Sequence, residues 1–243
     1  MNHSRALDGV LLVDKASGMT SHDVVAIARR QLRSVGVEKV GHCGTLDPLA
    51  TGLLILTIGR GSKLQDLLMA EDKEYVGTMK LGEITASQDA DGVVTETRPV
   101  GDYSREQLDA SFAKFHGDFY QTPPMVSAIK KAGVPLYKLA RKGQVVEREP
   151  RFVHVYAHEI QAVRLPEIDF RVVCSKGFYV RTYAHDIGED LGCGAHLRAL
   201  RRTKSGKFSL EHAVSTETLK TGNATEVVAK MLSLPQVSIL RGA

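Results

Sequence analysis

At 243 residues the chain is sized for one large domain or two small ones, and with 43% hydrophobic residues it can bury a sizeable core. A disordered tail and a mini-protein are both excluded. The formal net charge of +4 permits a polyanionic partner without demanding one.

In chain order, Val10 to Val13 is a β-branched and Leu run that reads as a buried strand ending in a Ser17-Gly18 turn. Ser21 reads as the N-cap of a helix that carries Val24, Val25, Ala28 and Leu32 at helical spacing up to Gly36. From Val40 to Gly52 the chain is rich in Gly and polar residues and reads as a loop, followed by a strand over Leu53 to Ile58. A conformationally special loop against a buried strand is where folds tend to keep chemistry. Further strands are expected over Glu74 to Leu81 and Val153 to Val163, and helices over Arg105 to Phe115 and Leu136 to Lys142. Phe170 to Cys174 and Phe178 to Arg181 flank a Ser175-Lys176-Gly177 turn and suggest a hairpin or bulged strand. Thr182 to Leu191 follows as a helix, Lys207 to Leu210 as a strand, and Thr225 to Leu232 as the best helix of the C-terminal tail. Strands and helices without a regular βαβ period predict an α+β fold with a mixed, mainly antiparallel sheet.

Cys43, Cys174 and Cys193 form no C-x-x-C pair, which argues against a disulfide framework or zinc cage and suggests a reducing, cytoplasmic compartment. The N-terminus lacks the features of a signal peptide, and the longest apolar run, Gly52 to Ile58, is far short of the roughly 20 residues of a membrane span. Charge is unevenly spread. Leu81 to Thr97 holds Glu83, Asp89, Asp91 and Glu96 with no Lys or Arg, whereas Gly194 to Leu210 holds Arg198, Arg201, Arg202, Lys204 and Lys207 with no acid. A second basic stretch contains Lys130, Lys131, Lys138, Arg141 and Lys142. Such clusters fit a nucleic-acid backbone, or else a solvated face with a structural Arg pair.

Several chemistries find no support. The Gly41 to Gly52 loop matches neither the phosphate-loop nor the dinucleotide spacing, and no H-E-x-x-H motif is present, so neither cofactor nor metal is expected. Ser21-His22-Asp23 are consecutive, unlike a triad assembled in space. Asp47 lies between Leu46 and Pro48, and the proline holds its neighbour extended. That suits a carboxylate fixed in one orientation, as a nucleophile or as a cap on Thr51 and Gly52.

Six blocks together resemble the bacterial TruB family of tRNA pseudouridine synthases: Lys15 to Val25, Gly41 to Gly52, Lys73-Glu74-Tyr75, Gln121 to Lys130, Cys174 to Arg181 and Leu200 to Thr203. They occur in the family's order and spacing over roughly residues 9 to 210. The resemblance implies the pseudouridine synthase fold, with a catalytic domain over 1–210 and a short tail over 211–243 that is too small for a PUA domain. It implies isomerisation of uridine 55 in the T arm of tRNA, without a cofactor.

By the same resemblance Asp47 is the essential carboxylate, acting either as a nucleophile or as the base that takes the 2′ proton. Arg181 pairs with it and keeps it ionised, and Tyr75 packs on the flipped uracil near C5. His42 takes the place of the flipped base in the RNA, and Tyr179 and the backbone at Leu200 line the pocket. Lys130, Arg201 and Arg202 are the basic residues expected to meet RNA. Ala16 stands where the family usually has Pro, which softens a turn in a block that supports the catalytic loop. A monomeric enzyme that needs no protein partner is expected. The competing reading is an inactive RNA-binding or tRNA-folding protein on the same scaffold.

Overall fold

The computed structural model describes residues 7–127, 129–131, 133–140, 143, 144 and 146–242, with the side chains of residues 130, 131, 135, 137 and 138 outside that description. Contacts divide the chain into two units. One runs up to Lys73 and resumes at Arg201, and the other is Glu74–Leu200.

The first unit opens with β1 (Gly9–Lys15), α1 (Ser21–Leu32), β2 (Val40–Cys43), β3 (Thr51–Ile58) and α2 (Gln65–Met69). β1 and β3 pair antiparallel from Gly9 opposite Ile58 to Lys15 opposite Gly52. Both strands are buried on both faces, which explains their continuous runs of Val, Leu and Ile without polar alternation. β2 pairs antiparallel with β3, Val40 opposite Ile58, so part of the expected loop is a strand. Its Gly and His content hides it. Gly41 is there because a Cβ would lie 2.9 Å from the Thr57 hydroxyl oxygen of the neighbouring strand.

The cap of α1 also differs from expectation. Thr20, not Ser21, is the N-cap: its hydroxyl accepts the Asp23 N–H at 3.1 Å, and the Asp23 carboxylate accepts the Thr20 N–H at 2.8 Å. This capping box requires an acid three residues on, and Asp23 stands at that distance from Thr20.

The second unit contains β4 (Lys73–Leu81, from Glu74 on), β5 (Glu83–Thr85), β6 (Val94–Thr97), α3 (Arg105–Ala113), β7 (Gly117–Gln121), β8 (Lys130–Lys131), β9 (Val134–Pro135), α4 (Leu136–Ala140), β10 (Arg151–Arg164), β11 (Glu167–Cys174) and α5 (Val180–Asp190). Next comes β12 (Ala195–Ser205), whose residues 195–200 belong here and 201–205 to the first unit. The strand order in this unit is β12-β4-β11-β10-β7. Its core is aromatic: Tyr183 of α5 packs on Phe112, Phe170 and Phe178 with ring centroids 5.8, 5.9 and 5.4 Å apart. The expected second strand over Phe178 to Arg181 is instead the entry to α5. Short apolar runs do not distinguish strand from helix. Here Tyr183 N–H bonds to Tyr179 C=O at 3.0 Å and starts the helix. Arg141 and Lys142 of the expected basic stretch lie outside the described residues, as do Ala128 of the Gln121 to Lys130 block and the side chains of Lys130, Lys131 and Lys138.

The chain ends in the first unit with β13 (Phe208–Ser209), β14 (Val214–Ser215), α6 (Thr216–Thr221), α7 (Ala224–Ala229), β15 (Leu232–Ser233) and α8 (Leu234–Arg241). Residues of this segment pair and pack with the first unit. β14 pairs parallel with β1 at Val13 and Asp14, β15 pairs antiparallel with it at Gly9 and Val10, and Val237 of α8 is buried with Val10, Leu12 and Ile55. The division by contacts falls after Lys73 and again after Leu200. The pairings are mixed and mainly antiparallel, with helices flanking, as expected for α+β. Among the described residues no helix is long and apolar enough to cross a membrane.

Candidate active site

Asp47 sits half-buried on the turn between β2 and β3, and nearly every residue around it is tied down through its backbone. Lys15, the last residue of β1, is fully buried and donates to the carbonyl oxygens of Met19 (2.6 Å), Ala16 (3.0 Å) and Pro48 (3.3 Å). The Gly18 N–H meets Pro48 O at 2.8 Å, and Ser17 Oγ donates to Leu49 O at 3.1 Å. Ser21 Oγ accepts the Leu46 N–H at 2.9 Å and donates to Leu46 O at 3.2 Å. Its service to the loop explains why Ser21 does not cap α1. The Ala50 N–H closes the turn on Asp47 O at 3.1 Å.

From the other side Arg202 of β12 donates through Nε to Leu53 O at 2.7 Å and through Nη2 to Gly44 O at 3.1 Å. Arg202 is 2% exposed, so the expected RNA contact does not hold for it: a guanidinium enclosed by carbonyls presents no face to phosphate. It braces the Asp47 loop. β12 runs parallel to β3 with Arg202 opposite Gly52. At Gly52, where φ is +98°, a Cβ would stand 2.2 Å from Arg202 O. Arg201 is half-exposed and holds Asp14 through two bonds of 2.7 and 3.0 Å.

His42 is half-buried on β2, edge-on to His22 with ring centroids 5.1 Å apart and planes at 81°. Its Nδ1 is buried with no hydrogen-bond partner among the described residues. Burial, helped by the charges of His22 and Arg202, pushes its pKa down to about 4. At neutral pH the ring is uncharged.

In the second unit Tyr75 is buried on the face of β4 that also carries Gly77, Met79 and Leu81. Arg181, in the first turn of α5, is buried and donates to Ser87 O at 2.9 Å and Val126 O at 2.7 Å, with Asp89 Oδ2 3.5 Å from Nη1. Asp89 is itself buried and accepts from Ser87 Oγ at 2.5 Å and from the Asp91 N–H at 3.2 Å. The acidic stretch read as a charge block thus contains the anchor of Arg181, a role that composition does not reveal. Gln88, at φ +63°, accepts from Thr182 Oγ1 at 2.8 Å and ties the same loop to α5. The half-buried Tyr179 is held by Gln121, and Leu200 is buried at the end of the unit's share of β12. Lys130 lies in β8, and nothing described shows where its side chain goes. Lys15, Ser21, Asp89 and Gln121 were not read from sequence as residues that hold the site. Their signal was membership of the polar blocks, without a hint of which backbone groups they would meet.

The fold is that of the pseudouridine synthases. Solved structures of a Cbf5-Nop10-Gar1 complex and of an H/ACA RNP bound to a substrate RNA containing 2′-deoxyuridine match with TM-scores of 0.72 and 0.64 at 28% and 29% identity, covering 96% and 86% of this chain. The chain spans 62% and 51% of those two proteins. The model of the TruB family pseudouridylate synthase N-terminal domain matches residues 30–180, and that of the tRNA pseudouridylate synthase B C-terminal domain matches 181–234. A tRNA pseudouridine synthase B of Opitutus terrae is 52% identical over 96% of both chains. One of Burkholderia lata is 52% identical over 88% of this chain and 66% of its own length. The chain belongs to the TruB family of pseudouridylate synthases.

Proposed function

We propose that this chain converts uridine 55 in the T arm of tRNA to pseudouridine, as a cytoplasmic monomer that needs no protein partner. Family membership makes it an isomerase acting on uridine in tRNA. The observation that carries the site assignment is the bracing of the Asp47 loop. Buried Lys15 and Arg202 together donate to Pro48, Gly44 and Leu53. Such investment in one exposed-edge turn is what a positioned reactive group requires.

The reaction breaks C1′–N1 with the bonding pair left on the uracil, turns the base while it is bound, joins C5 to C1′, releases the C5 proton and leaves N1 protonated. Atoms balance with no redox partner or donor. The target base must first leave the T-loop stack, at about a few kcal/mol, and neutral His42 fills the place it vacates. Tyr75 and Tyr179 pack on and beside the flipped uracil, with the Leu200 backbone at its edge, and Tyr75 lies near C5 where the proton leaves. Asp47 acts in the ionised form whether it attacks the sugar carbon or removes the 2′ proton, and Arg181 maintains that form. Arg201 and Lys130 are assigned as contacts to the RNA backbone.

A T-arm stem-loop tritiated at uridine C5 tests this reading. The wild-type protein is expected to release label, and Asp47→Asn to lower release by at least about a thousandfold with RNA affinity nearly unchanged. Normal turnover by the variant overturns the role of Asp47. No release by stoichiometric wild type, with equal acceleration of tRNA folding by both proteins, overturns the enzymatic reading.

A further inference from the structure

Gln121 is the last residue of β7, 2% exposed, and its side chain is spent on one backbone residue. Its Nε2 donates to Tyr179 O at 3.1 Å, and its Oε1 accepts the Tyr179 N–H at 2.8 Å. A primary amide carries a donor and an acceptor side by side, so it complements both polar groups of a single peptide residue, as a neighbouring strand would. The residue it grips matters. Tyr179 is the N-cap of α5, no side chain of its own caps the helix, and its carbonyl also accepts the first helical bond, from the Tyr183 N–H at 3.0 Å.

The same segment reaches α5 a second time. Past Gln121 the chain runs through Pro123 and Pro124, which restrict its backbone, to Val126, whose carbonyl accepts from Arg181 Nη2 at 2.7 Å. One proline-stiffened strut therefore holds the start of α5 at the Tyr179 backbone and at the Arg181 guanidinium. We propose that Gln121 is a positioning residue for the isomerisation, setting through the Tyr179 backbone the direction from which Tyr179 and Arg181 enter the uracil pocket, a role that rests on their assignment as pocket residues.

Gln121→Glu separates this role from plain structural support. When protonated, the introduced carboxyl still donates to Tyr179 O and accepts its N–H; when ionised it keeps the accepted bond but sets its other oxygen against Tyr179 O and loses the donated bond. Burial raises its pKa from about 4.3 towards neutrality. We expect kcat relative to wild type to be down at least about tenfold near pH 8 and to climb back towards unity near pH 6, with KM and RNA Kd within about threefold throughout. Gln121→Leu, which removes both bonds, should lose kcat equally at every pH. Should that variant fail to fold, Gln121→Glu decides alone. A kcat ratio that stays flat with pH, or losses of RNA affinity and thermal stability that track the loss of kcat, overturns the proposal. If wild type makes no pseudouridine, the functional reading fails and this role falls with it. An active wild type with a flat ratio refutes the positioning role alone.

Discussion

His42 shows how burial holds an imidazole in its uncharged form. An exposed imidazole is partly charged at neutral pH, but this one titrates near 4 in the folded chain, against 6.5 for an unperturbed histidine. Between those values the unfolded chain binds more protons than the folded one, so the group removes stability as pH falls below about 6.5, and the loss levels off below about 4. For a half-buried ring the effect is about 1–3 kcal/mol at its largest. Chemical denaturation of wild type and His42→Gln from about pH 7.5 to 4 should show wild type losing that much more stability than the variant. Parallel curves would mean that the ring is free to hydrate and is not held neutral for insertion into RNA.

At the scale of elements, the approach of β12 to β3 decides whether the Asp47 loop has a floor. Gly52 and Gly18 both adopt positive φ, +98° and +78°, yet their surroundings are opposite. A Cβ at Gly52 would stand 2.2 Å from Arg202 O and 2.8 Å from Arg202 N, whereas at Gly18 it would meet nothing within 4 Å. Gly18→Ala should cost about 1–2 kcal/mol, the backbone strain alone. Gly52→Ala should cost at least about 3–4 kcal/mol and reduce kcat as well, because the strand carrying Arg202 must withdraw from the loop. Equal losses in the two variants would show that β12 yields without disturbing the site. This pair also marks what sequence can and cannot reveal. β1, β3, β4, α1 and α5 follow from apolar runs and spacing, because their burial is written in their own residues. β2 and most of β12 were not legible, since Gly41-His42 and Arg201-Arg202 look like loop and surface until pairing with β3 is known. Asp47 was legible as an oriented carboxylate from Leu46 and Pro48, with its role open between chemistry and capping. Asp89 and Gln121 were not, because each works by meeting backbone or charge far away in the chain.

Across the whole molecule, a net charge of +4 conceals two kinds of cation. Lys15, Arg181 and Arg202 are buried and bound to carbonyl oxygens, so they hold the fold and release no counterions to RNA. Lys204 and Lys207, from the same basic stretch as Arg202, are exposed. Counterion release counts only cations that meet phosphate, and each such contact adds about 0.7–0.9 to the slope of log affinity against log salt. Binding of a T-arm stem-loop, followed from about 50 to 200 mM salt, should therefore lose that much slope in Lys204→Gln and again in Lys207→Gln, with thermal stability unchanged. Arg202→Met removes the same formal charge but should lower stability by about 3–5 kcal/mol, leaving Gly44 O and Leu53 O without their donor. The slope of its folded fraction should match wild type. A slope that falls in Arg202→Met, or stays constant in both lysine variants, would reverse the division between structural and RNA-facing cations.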